Sequence, residues 1–208
     1  MIWFIDFDAC LCDNQDAFVE RCAIWLDNNH IAHTAPDVNV FHFGKMFGVD
    51  NYLHEDCYES KEFAGYYIQP PKEGAIEFLS SIDKKQDMIA ILTSRRPDLR
   101  IPVTEEIREF LGDTLVGRHT IALSVLTKLW LERYVIPFDN IIYREDKVSF
   151  MKEFPTGIAI EDNPIVINGY IDNGIKFIRM NYPHNEGCEG LVADTWFDID
   201  KMHRLNII

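Results

Sequence analysis

Short, mainly apolar runs alternate with longer stretches of helical periodicity along this chain. The apolar runs are typical of strands buried on both faces of a sheet, and they lie at residues 1–7, 88–92, 141–143, 157–160 and 175–180. Apolar residues three or four positions apart indicate amphipathic helices, and such stretches lie at residues 16–27, 73–82, 104–111, 125–134 and 164–171. This alternation predicts an α/β fold built on a doubly wound parallel sheet.

The segment between residues 30 and 69 departs from the alternation. It has no clear period, and it is rich in aromatic residues. Gln69-Pro70-Pro71 ends the segment, since paired prolines cannot continue regular structure. We therefore assign residues 1–16 and 68–208 to the α/β core and residues 17–67 to an insertion after the first strand.

Polar side chains follow three of the predicted strands at the point where each strand ends. They are Asp6 with Asp8, Thr93 with Ser94, and Glu161 with Asp162. The carboxyl ends of parallel strands meet at one edge of a sheet, and open α/β sheets bind ligands at that edge. A single Asp-x-Asp pair is often only a helix cap or a turn, but three separate caps at one edge are a weaker explanation. We expect the three clusters to form one site.

Asp6 and Asp8 lie two residues apart at the end of a strand, so their side chains begin on one face of the sheet. A carboxylate that leaves a buried strand needs a charged partner, and a divalent cation suits two carboxylates. If the chain turns after Asp6, one carboxylate can face a substrate while the other lies over it. This geometry suits a nucleophile and its acid–base partner.

The other clusters supply groups for a phosphate and a metal ion. Thr93 and Ser94 offer hydroxyl and backbone N–H groups at a turn from strand to helix, which suits a phosphate, and Lys147 can add a positive charge. Mg²⁺ prefers carboxylate and carbonyl oxygens, so Asp6, Asp162 and one backbone carbonyl would bind it. A carboxylate nucleophile among Mg²⁺, a lysine and hydroxyl donors is suited to phosphoryl transfer.

The net charge of −14 over 208 residues restricts the partners. An acidic surface repels nucleic-acid polymers and anionic membranes, so we expect neither. A small phosphorylated substrate is compatible, because a bound Mg²⁺ and a few local basic side chains can reverse the charge inside one pocket. The oligomeric state is left open, a homodimer included.

The five cysteines form no disulfide framework and no paired Cys-x-x-Cys spacing. Cys10-x-Cys12 lacks a nearby second pair of cysteine or histidine ligands, which disfavours zinc. Reduced thiols in a cytosolic protein are the simpler explanation. The N-terminus lacks the basic start of a signal peptide, and no apolar run is long enough to span a bilayer. We therefore expect a soluble, cytoplasmic protein.

Four segments resemble, in chain order, the four motifs of the haloacid dehalogenase-like (HAD) phosphohydrolases. They are Phe4-Ile5-Asp6-Phe7-Asp8, Ile91-Leu92-Thr93-Ser94, Lys147 and Ile160-Glu161-Asp162. The resemblance implies a Rossmann-like HAD core in which Asp6 is the nucleophile that forms an aspartyl-phosphate. Asp8 would protonate the leaving group and then activate water.

The same resemblance assigns the remaining site residues. The implied phosphate-binding set is Thr93, Ser94, Lys147 and Arg144. The implied Mg²⁺-binding set is Asp6, Asp8 and Asp162. Arg144 has an alternative role in a surface pair with Glu145. The insertion at 17–67 has the size of the small helical cap that, in this superfamily, excludes water and contacts the leaving group.

A closer resemblance, with weaker motifs, is to the 5'(3')-deoxyribonucleotidases. It rests on residues 59–63, 69–75 and 181–185 together with the second to fourth motifs. Two departures stand out. Ala9 and Cys10 occupy positions where the superfamily usually has glycine and then threonine or valine, and Asn14 stands where the subgroup has an aromatic residue that stacks on the base.

Aromatic rings of the insertion fit stacking on a nucleobase. The preferred candidates are Phe43, Phe47, Tyr66 and Tyr67. The alternative is that these rings form the insertion's own core, which is the commoner role of such residues.

The sequence therefore predicts a Mg²⁺-dependent phosphomonoesterase, with a 5'-nucleotide as the favoured substrate. The nearest alternative is a phosphatase of the same fold that acts on another small phosphorylated metabolite. A polynucleotide end phosphatase is disfavoured by the acidic charge. A catalytically lapsed member of the fold, acting as a binding protein, is a further alternative because fold alone does not prove activity.

Overall fold

The computed structural model describes residues 1–115 and 117–208, which divide into two compact units. The first unit comprises Met1–Asp13, Pro71–Arg95 and Leu131–Ile208. The second unit comprises Asn14–Pro70 and Arg96–Trp130. The predicted insertion, residues 17–67, lies within the second unit, which also takes in a later stretch of the chain. Its role as a cap stays a prediction.

The strands form two sheets. In chain order they are β1 (Ile2–Ile5), β2 (Met88–Thr93), β3 (Arg100–Pro102), β4 (Thr120–Ala122), β5 (Asn140–Tyr143), β6 (Gly157–Glu161), β7 (Phe177–Met180) and β8 (Leu191–Ala193). Over the described residues, six strands of the first unit pair in the order β5-β2-β1-β6-β7-β8, and each pair is parallel. In the second unit, β3 and β4 form an antiparallel pair.

The helices follow the strands in sequence. They are α1 (Gln15–Asn28), α2 (Phe43–Phe47), α3 (Leu53–Tyr58), α4 (Ala75–Ser81), α5 (Glu105–Leu111), α6 (Leu123–Arg133), α7 (Lys147–Met151), α8 (Pro164–Asp172) and α9 (Trp196–Arg204). Short 3₁₀ helices lie at Ala64–Ile68, Gly112–Leu115 and Pro183–Asn185. Within the part of the chain that the structure describes, no helix is long and apolar enough to cross a membrane.

Both faces of the parallel sheet are covered, as a doubly wound fold requires. Side chains alternate along a strand, so neighbours in β1 enter different layers. Phe4 packs on one face with residues of α7 and α8, among them Met151 and Val166. Trp3 lies on the other face, where its ring contacts Phe78 of α4 at 5.1 Å. The predicted α/β fold with a doubly wound parallel sheet is confirmed.

The second unit has a core of aromatic rings. Phe63 stacks on Tyr58 at 4.8 Å and on Tyr66 at 4.6 Å between ring centroids. Gly65 lies beside the ion pair of Arg21 with Glu106, whose closest atoms are 2.6 Å apart. A Cβ at position 65 would meet the ends of the Arg21 and Glu106 side chains, so a larger residue here would require that ion pair to shift.

Candidate active site

The strand register brings the three polar clusters to one edge of the sheet. Ile5 of β1 pairs with Ile91 of β2 on one side and with Ile160 of β6 on the other. The next residue, Asp6, continues the ladder because its N–H donates to the Ile160 carbonyl at 3.0 Å. Asp6 therefore leaves the sheet at the same level as Glu161. The carboxyl ends of β1, β2 and β6 therefore lie side by side, as the sequence predicts.

Lys147 joins Asp6 to Glu161. Its Nζ lies 2.6 Å from Asp6 Oδ1 and 2.8 Å from Glu161 Oε2, and all three residues are buried. Lys147 is the first residue of α7, and the Asp146 side chain caps this helix by accepting from the Ser149 N–H. The cap fixes where the helix begins and thereby places the lysine at the site.

The pKa values of this cluster depend on its charges as well as on its burial. Burial and then Glu161 raise the pKa of Asp6 well above its usual range, while Lys147 opposes the shift. Burial alone lowers the pKa of Lys147, but the attraction of Asp6 and Glu161 raises it well above the usual range. Two carboxylates thus share one ammonium group. A second cation bound beside these carboxylates would therefore be stabilised by their charge.

Asp162 follows β6 and is held by the loop after β7. His184 Nε2 lies 3.2 Å from Asp162 Oδ2, and Asn185 donates its side-chain N–H to the Asp162 carbonyl at 2.7 Å. Both residues are buried. Burial raises the pKa of Asp162, and the His184 hydrogen bond opposes that shift. The sequence indicated similarity to the nucleotidases at 181–185 but gave no sign of these contacts.

Three donor groups lie close enough to bind one metal ion. Carboxylate oxygens of Asp6 and Asp162 and the sulfur of Cys10 all lie within 4.8 Å of one another, and all three residues are buried. A divalent cation stabilises the ionised form of buried carboxylates, so the two carboxylates of this set fit Mg²⁺. The Cys10 thiol is a softer neighbour, and its Sγ lies 3.7 Å from Asp162 Oδ1. Asp8, also predicted as a ligand, is not one of these donors.

The loop after β1 explains how Ala9 replaces glycine. Ala9 has φ +59°, a left-handed conformation that favours glycine. Tyr182 donates its hydroxyl to the Ala9 carbonyl at 2.7 Å, and the indole N–H of Trp196 donates to the Cys10 carbonyl at 2.8 Å. These two bonds hold the strained turn in place. Alanine is thus accommodated, at a typical cost of roughly 1–2 kcal/mol.

Asp8 forms a forked ion pair with Arg95. The arginine donates Nε to Oδ2 at 2.9 Å and Nη2 to Oδ1 at 2.6 Å. Its guanidinium also lies over the Phe7 ring, 3.9 Å from the centroid. In the sequence, Arg95 comes directly after the second motif, Ile91-Leu92-Thr93-Ser94. The pairing with Asp8 was missed, because nothing in the chain order relates residues 87 positions apart.

The predicted phosphate-binding residues differ in exposure. Thr93 is 1% exposed, and its hydroxyl accepts from the Arg95 N–H at 3.2 Å. Ser94 and Arg144 are exposed, and the serine hydroxyl donates to the Arg144 carbonyl at 3.4 Å. The second and third motifs are therefore linked through their backbones and hydroxyls. The phosphate-binding roles stay predictions.

The four rings proposed to stack on a base belong to the second unit. Phe43, Phe47 and Tyr67 are buried there, at 3%, 0% and 4% exposure, whereas Tyr66 is half-buried. Phe43 and Phe47 contact each other at 5.5 Å between centroids, and Tyr66 stacks on Phe63 at 4.6 Å. Packing within the unit accounts for these rings, as the alternative supposed. The stacking role stays a prediction.

Solved structures of similar fold extend over nearly the whole chain. A magnesium-bound HAD hydrolase of Bacillus subtilis aligns with a TM-score of 0.57 at 16% identity, covering 99% of this chain and 98% of its own. A Lactobacillus plantarum protein described as a phosphoglycolate phosphatase aligns at 0.60 and 12% identity, covering 97% and 98%. A HAD-like protein of Agrobacterium tumefaciens aligns at 0.60 and 13%, covering 100% and 99%. The chain has the fold of the HAD hydrolases.

At the level of sequence, no protein-family model matches the chain, and no curated protein matches it. The similarity therefore lies in the fold.

Proposed function

We propose that this protein is a Mg²⁺-dependent phosphomonoesterase that hydrolyses (deoxy)ribonucleoside 5'-monophosphates. The observation that carries the proposal is the buried set of Asp6, Lys147 and Asp162 at the carboxyl edge of the sheet. Buried charges are unfavourable unless they are paired or bind a metal. Asp6 is paired with Lys147 and lies beside Asp162, a second candidate metal ligand. These surroundings suit the attack of the Asp6 carboxylate on the phosphorus of an anionic ester.

The reaction proceeds in two balanced steps. An Asp6 carboxylate oxygen attacks phosphorus and forms an aspartyl-phosphate, while the bond to the ester oxygen breaks and that oxygen takes a proton from Asp8. Water then attacks phosphorus as Asp8 removes its proton, the bond to Asp6 breaks, and inorganic phosphate leaves. Asp8 therefore serves as acid and then as base, while Lys147 and the Thr93 turn hold the phosphoryl oxygens.

Asp6 and Asp162 would hold the Mg²⁺ ion, which when bound neutralises charge between the phosphate and the carboxylates. Lys147, at the start of α7, supplies the second positive charge beside Asp6. With both present, the repulsion between Asp6 and an incoming phosphate is offset.

A second candidate is a phosphatase of another small phosphorylated metabolite. The burial of Phe43, Phe47 and Tyr67 within their own unit favours it, because rings that fill a core have less surface left for a base. The fold similarity to a protein described as a phosphoglycolate phosphatase is compatible with it. A lapsed enzyme is less favoured, since the motif residues are chemically competent.

Phosphate release from nucleoside monophosphates and sugar phosphates, with Mg²⁺ and with EDTA, tests the proposal. We expect turnover that requires Mg²⁺ and falls roughly 10³-fold or more in Asp6→Asn, because asparagine cannot form the covalent intermediate. Asp172→Asn, an exposed aspartate at the end of α8, is the matched control and should behave as wild type.

Ribose 5-phosphate separates the two substrate classes, because it lacks the base. A KM well above that of the nucleotides would support nucleotide recognition, whereas equal or better turnover would favour the second candidate. Absence of Mg²⁺-dependent release from every substrate, with a folded protein, would support the lapsed-enzyme alternative.

A further inference from the structure

The side chain of Arg95 is buried and is held by several contacts. It is only 3% exposed, whereas its partner Asp8 is 26% exposed. The backbone N–H of Arg95 donates to Thr93 Oγ1, and its guanidinium lies on the Phe7 ring. Contacts with Thr93 and Phe7 therefore hold Arg95 in place, and the Asp8 carboxylate is the more exposed of the two partners.

The fork between the two side chains fixes the plane of the carboxylate. Nε and Nη2 of Arg95 donate to different oxygens of Asp8, at 2.9 Å and 2.6 Å. A planar guanidinium that donates to both oxygens sets orientation as well as distance, which a lysine cannot do. A carboxylate has about four lone-pair sites. The fork uses one of these sites on each oxygen of Asp8.

We propose that Arg95 is the positioning residue of the Asp8 carboxylate during proton transfer to and from the substrate. This inference rests on the proposed function. Asp8 must present one oxygen to the leaving group and later to water, and a misplacement of about 1 Å can reduce the rate by about 10²-fold. Arg95 supplies the restraint through Asp8, without touching the transferred phosphoryl group.

The test compares Arg95→Met and Arg95→Lys with wild type on two esters. One is p-nitrophenyl phosphate, whose leaving group needs little protonation, and the other is the best alkyl phosphate from the substrate panel. We expect Arg95→Met to lower kcat/KM, which reports the step that releases the leaving group, about 10²- to 10⁴-fold on the alkyl ester, the usual range of acid–base catalysis. The loss of kcat/KM on p-nitrophenyl phosphate should be much smaller, KM should not rise, and Arg95→Lys should lie between.

Arg204→Met is the matched control. Arg204 makes the same kind of fork with Asp200, at 2.9 Å and 2.8 Å, but it is 74% exposed. We expect the kinetics of this variant to equal those of wild type.

The double variant Asp8→Asn with Arg95→Met distinguishes positioning from a general loss of structure. If Arg95 acts through Asp8, its removal should have almost no further effect on the residual activity of Asp8→Asn. An equal rise in KM on both esters would overturn the proposal in favour of substrate binding by Arg95. Additive losses in the double variant would overturn it in favour of a structural role. If wild type itself releases no phosphate, the proposed function fails and this inference fails with it.

Discussion

The two units of this protein bury different kinds of side chain. In the first, Lys147 lies between Asp6 and Glu161, and none of the three is more than 9% exposed. In the second, Phe63 lies between Tyr58 and Tyr66 in a stack of rings. A buried charge depends on the charge of its partner, whereas a buried ring depends on the shape around it.

This difference decides how far each region indicates a function. Apolar side chains of similar volume could replace a buried ion cluster with little loss of stability, so its presence needs a further reason. No such reason is needed for aromatic rings, because packing alone accounts for them. The Lys147 cluster therefore supports a chemical proposal, while the rings of the second unit support a nucleotide substrate only weakly.

Removal of the buried ammonium group of Lys147 should lower stability more than removal of a buried ring. Lys147→Met leaves the Asp6 and Glu161 carboxylates buried without their ammonium partner, so we expect a loss of about 3–5 kcal/mol in the free energy of unfolding. The loss should be smaller in acid, where a carboxyl group takes up a proton. Denaturant unfolding at several pH values measures both effects. The exposed Lys152→Met serves as control, and equal losses in the two variants would contradict the comparison.

Removal of a buried ring should have a smaller effect that does not depend on pH. Phe63→Leu reduces the contacts of the stack and leaves a small cavity, so we expect a loss of about 1–3 kcal/mol. The same change at Phe197, which is 52% exposed, should alter stability little. Unfolding curves at two pH values check this. A strong pH dependence in Phe63→Leu would show that charges contribute to this core as well.

The smallest expected effect concerns pH and the metal. The raised pKa of Asp162, caused first by burial, means that the folded state holds its proton to a higher pH than the unfolded state. Its contribution to stability is present below the unfolded pKa and is lost as pH rises through the folded pKa. Without a cation, the contribution of Asp162 to stability should therefore fall as pH rises through its folded pKa.

Thermal unfolding with EDTA and with Mg²⁺ tests that expectation. Mg²⁺ binds the ionised carboxylate, so it should raise the midpoint more at neutral pH than in acid. Asp162→Asn should remove most of the Mg²⁺ effect. An Mg²⁺ response unchanged in this variant would mean that the cation binds elsewhere.

The sequence predicted the strands that carry the site but missed β8, which lies at one end of the sheet. Residues 1–7 and 157–160 are apolar runs among polar neighbours, and a buried strand is the simplest outcome. β8 spans only Leu191–Ala193, and two of its three residues are exposed, so its apolar run is too short to distinguish from a loop. Helix α9 begins at Trp196 but is rich in charged residues. Both are stabilised by contacts that other segments provide.

The candidate site also contains residues that the sequence predicted and contacts that it did not. Asp6 and Asp162 were expected at one edge because charged residues at the ends of apolar strands are rare without a reason, and Lys147 was expected there as a match to the third motif. The supporting contacts of Arg95 and His184 were not, since a lone arginine or histidine has many roles of equal weight. Lys147 is also 141 positions from Asp6, and only the fold brings the two together.

The sequence by itself determined the alternation of strands and helices that builds the parallel sheet and the residue types at its carboxyl edge, because periodicity and burial of apolar residues act locally along the chain. The tertiary structure alone decided which charges pair. Lys147 is shared between Asp6 and Glu161, Arg95 is paired with Asp8, and the rings of the second unit pack on one another. The pairing of charged side chains depends on distances in space, and residues far apart in the chain lie close together only in the folded structure.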